Sequence, residues 1–549
     1  MVSNHSFAIS RVAKNPIGLC ITSVESSSTS RFSPPVFENE EHPMPDYSRR
    51  DFIGAATATA GLGALAIAGA TTRPTRVAST EVELAAGYSF PVGYSLGSNI
   101  LFGTQTDVNA TLDAIVASGG TIVRIDIMWY FVQPTQNTFD WVMVDYIVNA
   151  ARARNLQVLA ILLSCPKWAA FGTNPLPTAR PKTAALFATF ASTCARRYVG
   201  KISAFELWNE PNGRMFFSPN PDAAFYTQMV RAAYPAIKTA NPNATVVVGA
   251  LGPTFDGDGT VHAINFLTQM YAAGLAGYYD ALSFHPYEFE HPFSFGALYD
   301  NSPMRQMLQM HQMMKAKGDG AKKIWITEYG APTSVMSEQA QADLIMACLR
   351  EWTEVSYAGP FYVYTVRDTN SGSTHTEDTF GVVRTDYTPK TAIWGVQALQ
   401  SMGMPQREEG SVFAANTDPS LGGAVLPVYA LTAGFGQEHE NGTRFLTNNG
   451  WFNSPPAVGT LARYWKLVPV NAFANGRQDF DIPGGFRIFS QTSTGTHAVY
   501  GAILAAYTDV LGFPKTDEYA YNGTASRAVD FERGRIVWSP TTGTSVTRY

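Results

Sequence analysis

Between about residue 85 and residue 400, short apolar runs alternate with stretches of helical periodicity. The runs lie near 92–100 and at 122–126, 158–162, 204–208, 246–249, 281–284, 324–327 and 361–364. Helical patterns occupy 108–117, 141–154, 183–198, 223–239, 263–273, 304–315, 338–352 and 390–399. A strand with one wet face alternates apolar and polar residues. A nearly continuous apolar run instead belongs to a parallel strand covered on both faces. Parallel neighbours need a crossover, which a helix supplies. Eight β–α units in roughly 300 residues predict an α/β fold, a (β/α)8 or TIM barrel. An open doubly wound sheet is the competing arrangement, but no Gly-x-Gly-x-x-Gly turn follows the first run.

The rest of the 549 residues flanks this core. Residues 1–70 read as a leader. Arg49-Arg50 precedes an uncharged run over 54–70, which ends in Ala68-Gly69-Ala70, a small-x-small pattern that a signal peptidase accepts. The pair and the run together resemble a twin-arginine export signal. The resemblance implies a secreted or cell-envelope-associated product. Rich in Gly and Ala, the run is short for a membrane span. Met44, just upstream, is the expected initiator. The mature chain would start at Thr71 and keep Cys165, Cys194 and Cys348. An odd number without regular spacing predicts free, buried thiols, with a Cys165–Cys194 bridge as the alternative. No later uncharged apolar stretch reaches 18 residues, so no membrane span is expected in the mature chain. The net charge of −5 and the lack of a basic stripe argue against nucleic acid.

Barrel enzymes carry their reactive groups at the C-terminal ends of the strands. The fourth run ends Trp208-Asn209-Glu210-Pro211, and the seventh ends Thr327-Glu328-Tyr329-Gly330. Strands four and seven face each other across a barrel, so the two carboxylates can meet over its centre. Such a pair fits glycoside hydrolysis, retaining at about 5–5.5 Å separation and inverting at about 6.5–9.5 Å. Glu206 shares Glu210's strand parity and reads as a buried partner below it. Arg124 and Asp126 share parity on the second run, where an ion pair between them competes with a role for Arg124 at the site. Trp129, Trp168 and Phe171 follow strands two and three, as sugar platforms or as packing. A metal reading of His285, Glu288, Glu290 and His291 lacks both a His-Glu-x-x-His motif and a thiolate pair. No metal and no cofactor are expected.

Trp208-Asn209-Glu210-Pro211, Ile324-Trp325-Ile326-Thr327-Glu328-Tyr329-Gly330 and His285-Pro286-Tyr287 together resemble the clan A glycoside hydrolases. Residues 90–400 are most similar to family 39 and cellulase-like family 5. The resemblance implies Glu210 as general acid/base and Glu328 as nucleophile. It also implies that Asn209 binds the sugar 2-hydroxyl, Tyr287 donates to Glu328, His285 shapes the −1 site and Arg124 lowers the nucleophile's pKa. Trp168 joins these as a substrate-binding candidate. The clan's Trp at the end of strand eight is absent, and Tyr364 or Arg367 would fill its place.

Residues 401–549 form a third region, rich in Gly, Thr, Asn and Pro. Gly485-Phe486-Arg487-Ile488-Phe489-Ser490 matches Gly534-Arg535-Ile536-Val537-Trp538-Ser539, an internal repeat. Leu511-Gly512-Phe513-Pro514 between them resembles the LGFP repeat, implying attachment to cell-envelope polysaccharide; a β cap without ligand is the alternative. Residues 401–470 have no assignment. The expected domains are a leader (1–70), a glycoside hydrolase barrel (71–400) and a β-rich repeat domain (401–549). The expected function is a secreted retaining β-glycosidase acting on a polysaccharide or oligosaccharide. A carbohydrate-binding or transglycosylating envelope protein, or a wall structural protein acting through the repeat, are the alternatives.

Overall fold

The computed structural model describes residues 90–549 apart from Asn174 and Asp258. The leader, its arginine pair and the start expected at Met44 lie outside the described residues. Eight parallel strands close into a barrel in chain order: β1 (Val92–Ser95), β2 (Ile122–Met128), β3 (Gln157–Leu163), β4 (Ala204–Leu207), β5 (Thr245–Leu251), β6 (Ala281–Phe284), β7 (Ile324–Tyr329) and β8 (Ala358–Tyr364). β8 pairs in parallel with β1, which rules out the open sheet. The crossover helices are α1 (Gln105–Ala117), α2 (Val142–Ala153), α3 (Ala184–Arg197), α4 (Ala223–Ala240), α5 (Ala263–Ala272), α6 (Pro303–Ala316), α7 (Glu338–Trp352) and α8 (Thr391–Ser401). Thr104 starts α1 with a capping box to Asp107, and Thr183, Asp222, Ser302 and Ser337 cap α3, α4, α6 and α7. The first run stops at Ser95, short of its expected end, because Gly97 takes a φ of 64° and opens a 3-10 turn.

Alternation along each strand sends every second residue to the barrel axis. Ile122, Leu159, Ala204, Val247, Ala281 and Tyr362 make an apolar interior layer. Two residues further along, the interior turns polar, with Arg124, Glu206 and Ser283 all buried. The outward residues, among them Val123, Ile125, Phe205, Val246 and Val248, pack beneath the helices. Each such side chain contributes about 1.5–3 kcal/mol of burial. The barrel is therefore a packed apolar body with one charged layer, and that layer lies toward the C-terminal mouth.

Beyond α9 (Glu408–Ala415) come three small antiparallel sheets. The first comprises β9 (Tyr429–Leu431), β10 (Gly434–His439), β11 (Gly442–Thr447) and β12 (Gly450–Ser454). The second comprises β13 (Arg477–Phe480), β14 (Phe486–Gln491) and β15 (Gly495–Tyr500). The third comprises β16 (Tyr519–Ala520), β17 (Arg527–Phe531), β18 (Gly534–Ser539) and β19 (Gly543–Arg548). Sequence similarity revealed two repeats; the first sheet adds another, in the stretch without an assignment. Leu421-Gly422 and Leu511-Gly512 end matching 3-10 turns, with glycine φ values of 72° and 74°. A Cβ on Gly422 would strike Glu440, and one on Gly512 would strike Glu532. The first copy keeps this geometry but reads Leu421-Gly422-Gly423-Ala424, without the Phe-Pro that makes the later copy legible.

Residues 90–549 belong to one compact unit. Arg407 bridges Glu351 of α7 and Glu354 in the turn after it, and Glu354 also accepts from the Val428 amide at 2.9 Å. Arg305 of α6 pairs with Glu438 of β10 at 2.9 Å. Cys165, Cys194 and Cys348 are free and buried, so the bridge alternative falls. No helix among the described residues is long and apolar enough to cross a membrane.

Candidate active site

Arg124, on the inner face of β2, is 1% exposed and organises the polar layer. Its Nε donates to Glu206 Oε2 at 2.6 Å, its Nη1 to Ser95 Oγ at 2.9 Å and to Glu328 Oε1 at 2.5 Å, and its Nη2 to Asn209 Oδ1 at 3.1 Å. Of the two alternatives for Arg124, the pair with Asp126 is not formed: the guanidinium reaches across the barrel instead. Glu206 is the buried partner that its parity suggested. A planar five-donor fork suits this task, since it holds two carboxylates and an amide in one fixed plane.

Glu328 reaches the centre through a bulge. Ile326 pairs with Phe361 and Tyr329 with Val363, so β7 carries one extra residue there. Strict alternation would turn Glu328 outward after the inward Thr327; the extra residue lets both serve the interior. Gly330 follows where β7 and β8 approach so closely that a Cβ would lie 1.8 Å from Tyr364 O. Glu210 lies just beyond β4 on a contorted backbone: Trp208 and Glu210 have φ of 72° and 39°, a left-handed region costly for both. Surrounding bonds hold the turn, with Glu210 N donating to Ala250 O and Trp208 Nε1 to Phe216 O. Buried Asn212 bonds Gly252, Thr254 and Val261, fixing the adjacent loop. Gly252 leaves room for the Glu210 carboxylate, whose Cδ would be 3.2 Å from a Cβ there.

His285 joins the two glutamates. Fully buried at the end of β6, it places Nδ1 2.9 Å from Glu210 Oε1 and 3.7 Å from Glu328 Oε2, and Nε2 3.0 Å from Thr327 Oγ1. One nitrogen thus lies near both carboxylates, and the two distances together cap the separation of those oxygens at about 6.6 Å. Tyr287 donates to Glu328 Oε2 at 2.9 Å. Burial pushes the Glu328 carboxyl upward, but the charges of His285 and Arg124 and the bonds from Tyr287 and Arg124 outweigh it and hold it below the usual range. Burial lowers the pKa of His285, and the two glutamates reverse this and raise it.

Of the remaining candidates, Tyr364 is at the site, its ring edge-on to Tyr287 at 6.4 Å. Arg367, the other residue considered for the missing Trp, turns away to Asp107 and Tyr387. Trp168 donates its indole N–H to Gln133 O at 3.1 Å, and its ring packs edge-on to Trp129. Trp129 is fully buried and serves as core, not as a platform. His285 and His291 do not converge, because His291 stacks on Phe295 at 4.7 Å. Among the described residues no His, Cys, Asp or Glu group could hold a metal. Sequence reasoning missed Glu377, in a 3-10 turn after β8, whose Oε2 accepts from Tyr364 Oη at 3.3 Å. No strand-end rule reaches it, since it sits thirteen residues beyond Tyr364.

A closed (β/α)8 barrel with two carboxylates converging over its C-terminal mouth defines a glycoside hydrolase. The sequence profile of the cellulase family, glycosyl hydrolase family 5, matches residues 84–359, and the chain belongs to that family. The LGFP repeat profile matches residues 511–548. No curated protein matches the chain in sequence. Similar solved structures include a family 39 glycoside hydrolase from the gut symbiont Bacteroides cellulosilyticus WH2, 17% identical over 75% of this chain and 79% of that one, with a TM-score of 0.48. The GH5_18 protein from Streptomyces cattleya, solved with GlcNAc, is 16% identical over 59% and 83%, with a TM-score of 0.45. The GH39 enzyme from Xanthomonas axonopodis pv. citri is 14% identical over 75% and 74%, with a TM-score of 0.44.

Proposed function

We propose that this glycoside hydrolase is a retaining β-glycosidase of a polysaccharide or oligosaccharide. The observation that carries this reading is the shared contact of Glu210 and Glu328 with His285 Nδ1. It holds one oxygen of each carboxyl within about 6.6 Å of the other, a closeness that favours the retaining separation of about 5–5.5 Å. Glu210 gives its proton to the glycosidic oxygen while ionised Glu328 attacks the anomeric carbon, forming a glycosyl ester and releasing the alcohol. Esterified Glu328 carries no charge, so Glu210 then takes a proton from water, which attacks the same carbon and frees Glu328. Arg124 and Tyr287 keep Glu328 anionic before attack. Asn209 Oδ1 is held by Arg124, which leaves its Nδ2 to donate to the sugar 2-hydroxyl.

Proton NMR of the first-formed product tests the reading: β-anomer from β-glycoside supports retention, α-anomer overturns it. Glu328→Gln and Glu210→Gln should each lower kcat by at least about a hundredfold. Transfer products in place of reducing sugar would favour the transglycosylating alternative. The paired arginines and the LGFP repeat support export by the twin-arginine route and residence at the cell envelope through residues 401–549. Cosedimentation with isolated cell walls, lost on deletion of that region, checks this.

A further inference from the structure

Asp126 lies two residues beyond Arg124 on the inner face of β2, one step nearer the mouth. It is 6% exposed, its carboxylate accepts no hydrogen bond from any described residue, and its oxygens are not fully enclosed, so what surface they keep is open to solvent or a ligand. A mostly buried carboxylate with no donor from the chain needs one from water or from a ligand that displaces the water. The cations at the site are already committed. Arg124 is spent on Glu206, Glu328 and Asn209, and His285 on Glu210, Glu328 and Thr327. Glu377 approaches from the loop after β8, where Tyr364 Oη is its donor. Tyr364 feels the charge of both Glu377 and Asp126. Glu377 in turn feels Glu328 and Glu210. Burial pushes Asp126 up to about 6 and Glu377 up to about 7. The pocket therefore sets five carboxyl groups, those of Asp126, Glu206, Glu210, Glu328 and Glu377, against Arg124 and His285.

We infer that Asp126 and Glu377 are specificity-determining residues: they accept hydrogen bonds from donor groups of the bound sugar, hydroxyl or ammonium, and exclude sugars bearing a carboxylate. The inference rests on the glycosidase reading above. A hydroxyl or an ammonium supplies the donor that Asp126 lacks. A uronate would add an anion to a buried, acid-rich wall, where like charges repel strongly.

The test uses 4-nitrophenyl β-glycosides of neutral hexoses, glucosamine and glucuronic acid with the full chain, Asp126→Asn and Glu377→Gln. Wild type is expected to turn over a neutral or amino glycoside and not the glucuronide. Each variant should lower kcat/KM on the accepted substrate tenfold or more. A tenfold preference for the glucosaminide would identify ammonium as the donor; equal or better turnover of a neutral hexoside would identify hydroxyl. Glucuronide turnover by wild type, or variants within twofold of wild type, overturns the inference. Calorimetric titration with isofagomine reads the pocket without turnover: Kd should rise tenfold or more in both variants. That rise without turnover of any glycoside would refute the glycosidase reading alone. Turnover with unchanged variants would refute this inference alone. Neither binding nor turnover would overturn both.

Discussion

Glu328 sits where burial favours its neutral form, and His285, Arg124 and Tyr287 keep it charged. In Tyr287→Phe one lowering donor is gone and the Glu328 pKa rises. Ionised Glu328 is needed for attack, so the acid limb of the pH profile of kcat/KM should move to higher pH. Arg124→Met should cost about 3–5 kcal/mol in urea denaturation, because it leaves Glu206 and Glu328 buried without their cation. Glu210 and Glu328 were legible because they close apolar runs, while Asn209, His285 and Tyr287 came only with the resemblance to the clan. The tryptophans were not. Trp129 and Trp208 stand at the same kind of position, yet both are buried, and only the packing of α3 against β2 and β4 reveals this.

The elements themselves were legible almost to the residue, since helix α7 occupies 338–352 as its periodicity predicts. What a single strand does not display is its register with a neighbour. The bulge in β7 exists only relative to β8, and it aims Glu328 inward. Gly330 secures that approach. Gly330→Ala should destabilise the protein by about 1–3 kcal/mol, read from the urea midpoint, because its Cβ meets Tyr364 backbone that has no room to move. It should also lower kcat more than KM, since Glu328 is displaced with the strand.

Across the whole molecule, the repeat region covers α7 and its buried acids. Burial pushes Glu351 up to about 7 from an ordinary 4.5, against the pull of Arg407 and Ser294. A carboxyl with a raised folded pKa binds its proton more tightly folded than unfolded. Its stabilisation is complete below pH 4.5 and is lost as pH rises through 7. The Tm should therefore fall between pH 5 and pH 8. The fall should be smaller in Glu351→Gln, although that variant is less stable at pH 5 because its amide offers one acceptor oxygen where the Ser294 amide and hydroxyl use two. Truncation after residue 507 should leave kcat unchanged. It should also lower the Tm, because Phe489, Val499 and Ile503 lose their cover from Leu511, Val529, Phe531 and Ile536.

Local periodicity by itself determined the eight β–α units, and strand-end chemistry singled out the two glutamates, because both signals lie within a few residues along the chain; His285 and Tyr287 were named only by the resemblance of their motif. The tertiary structure alone decided that Arg124 spans to Glu206 and Glu328 instead of pairing with Asp126, and that Glu377 joins the mouth. It also decided that a third repeat unit precedes the two legible ones. Each of these depends on which distant segment the closed barrel and the docked sheets bring within hydrogen-bond reach, and chain spacing carries no measure of that distance.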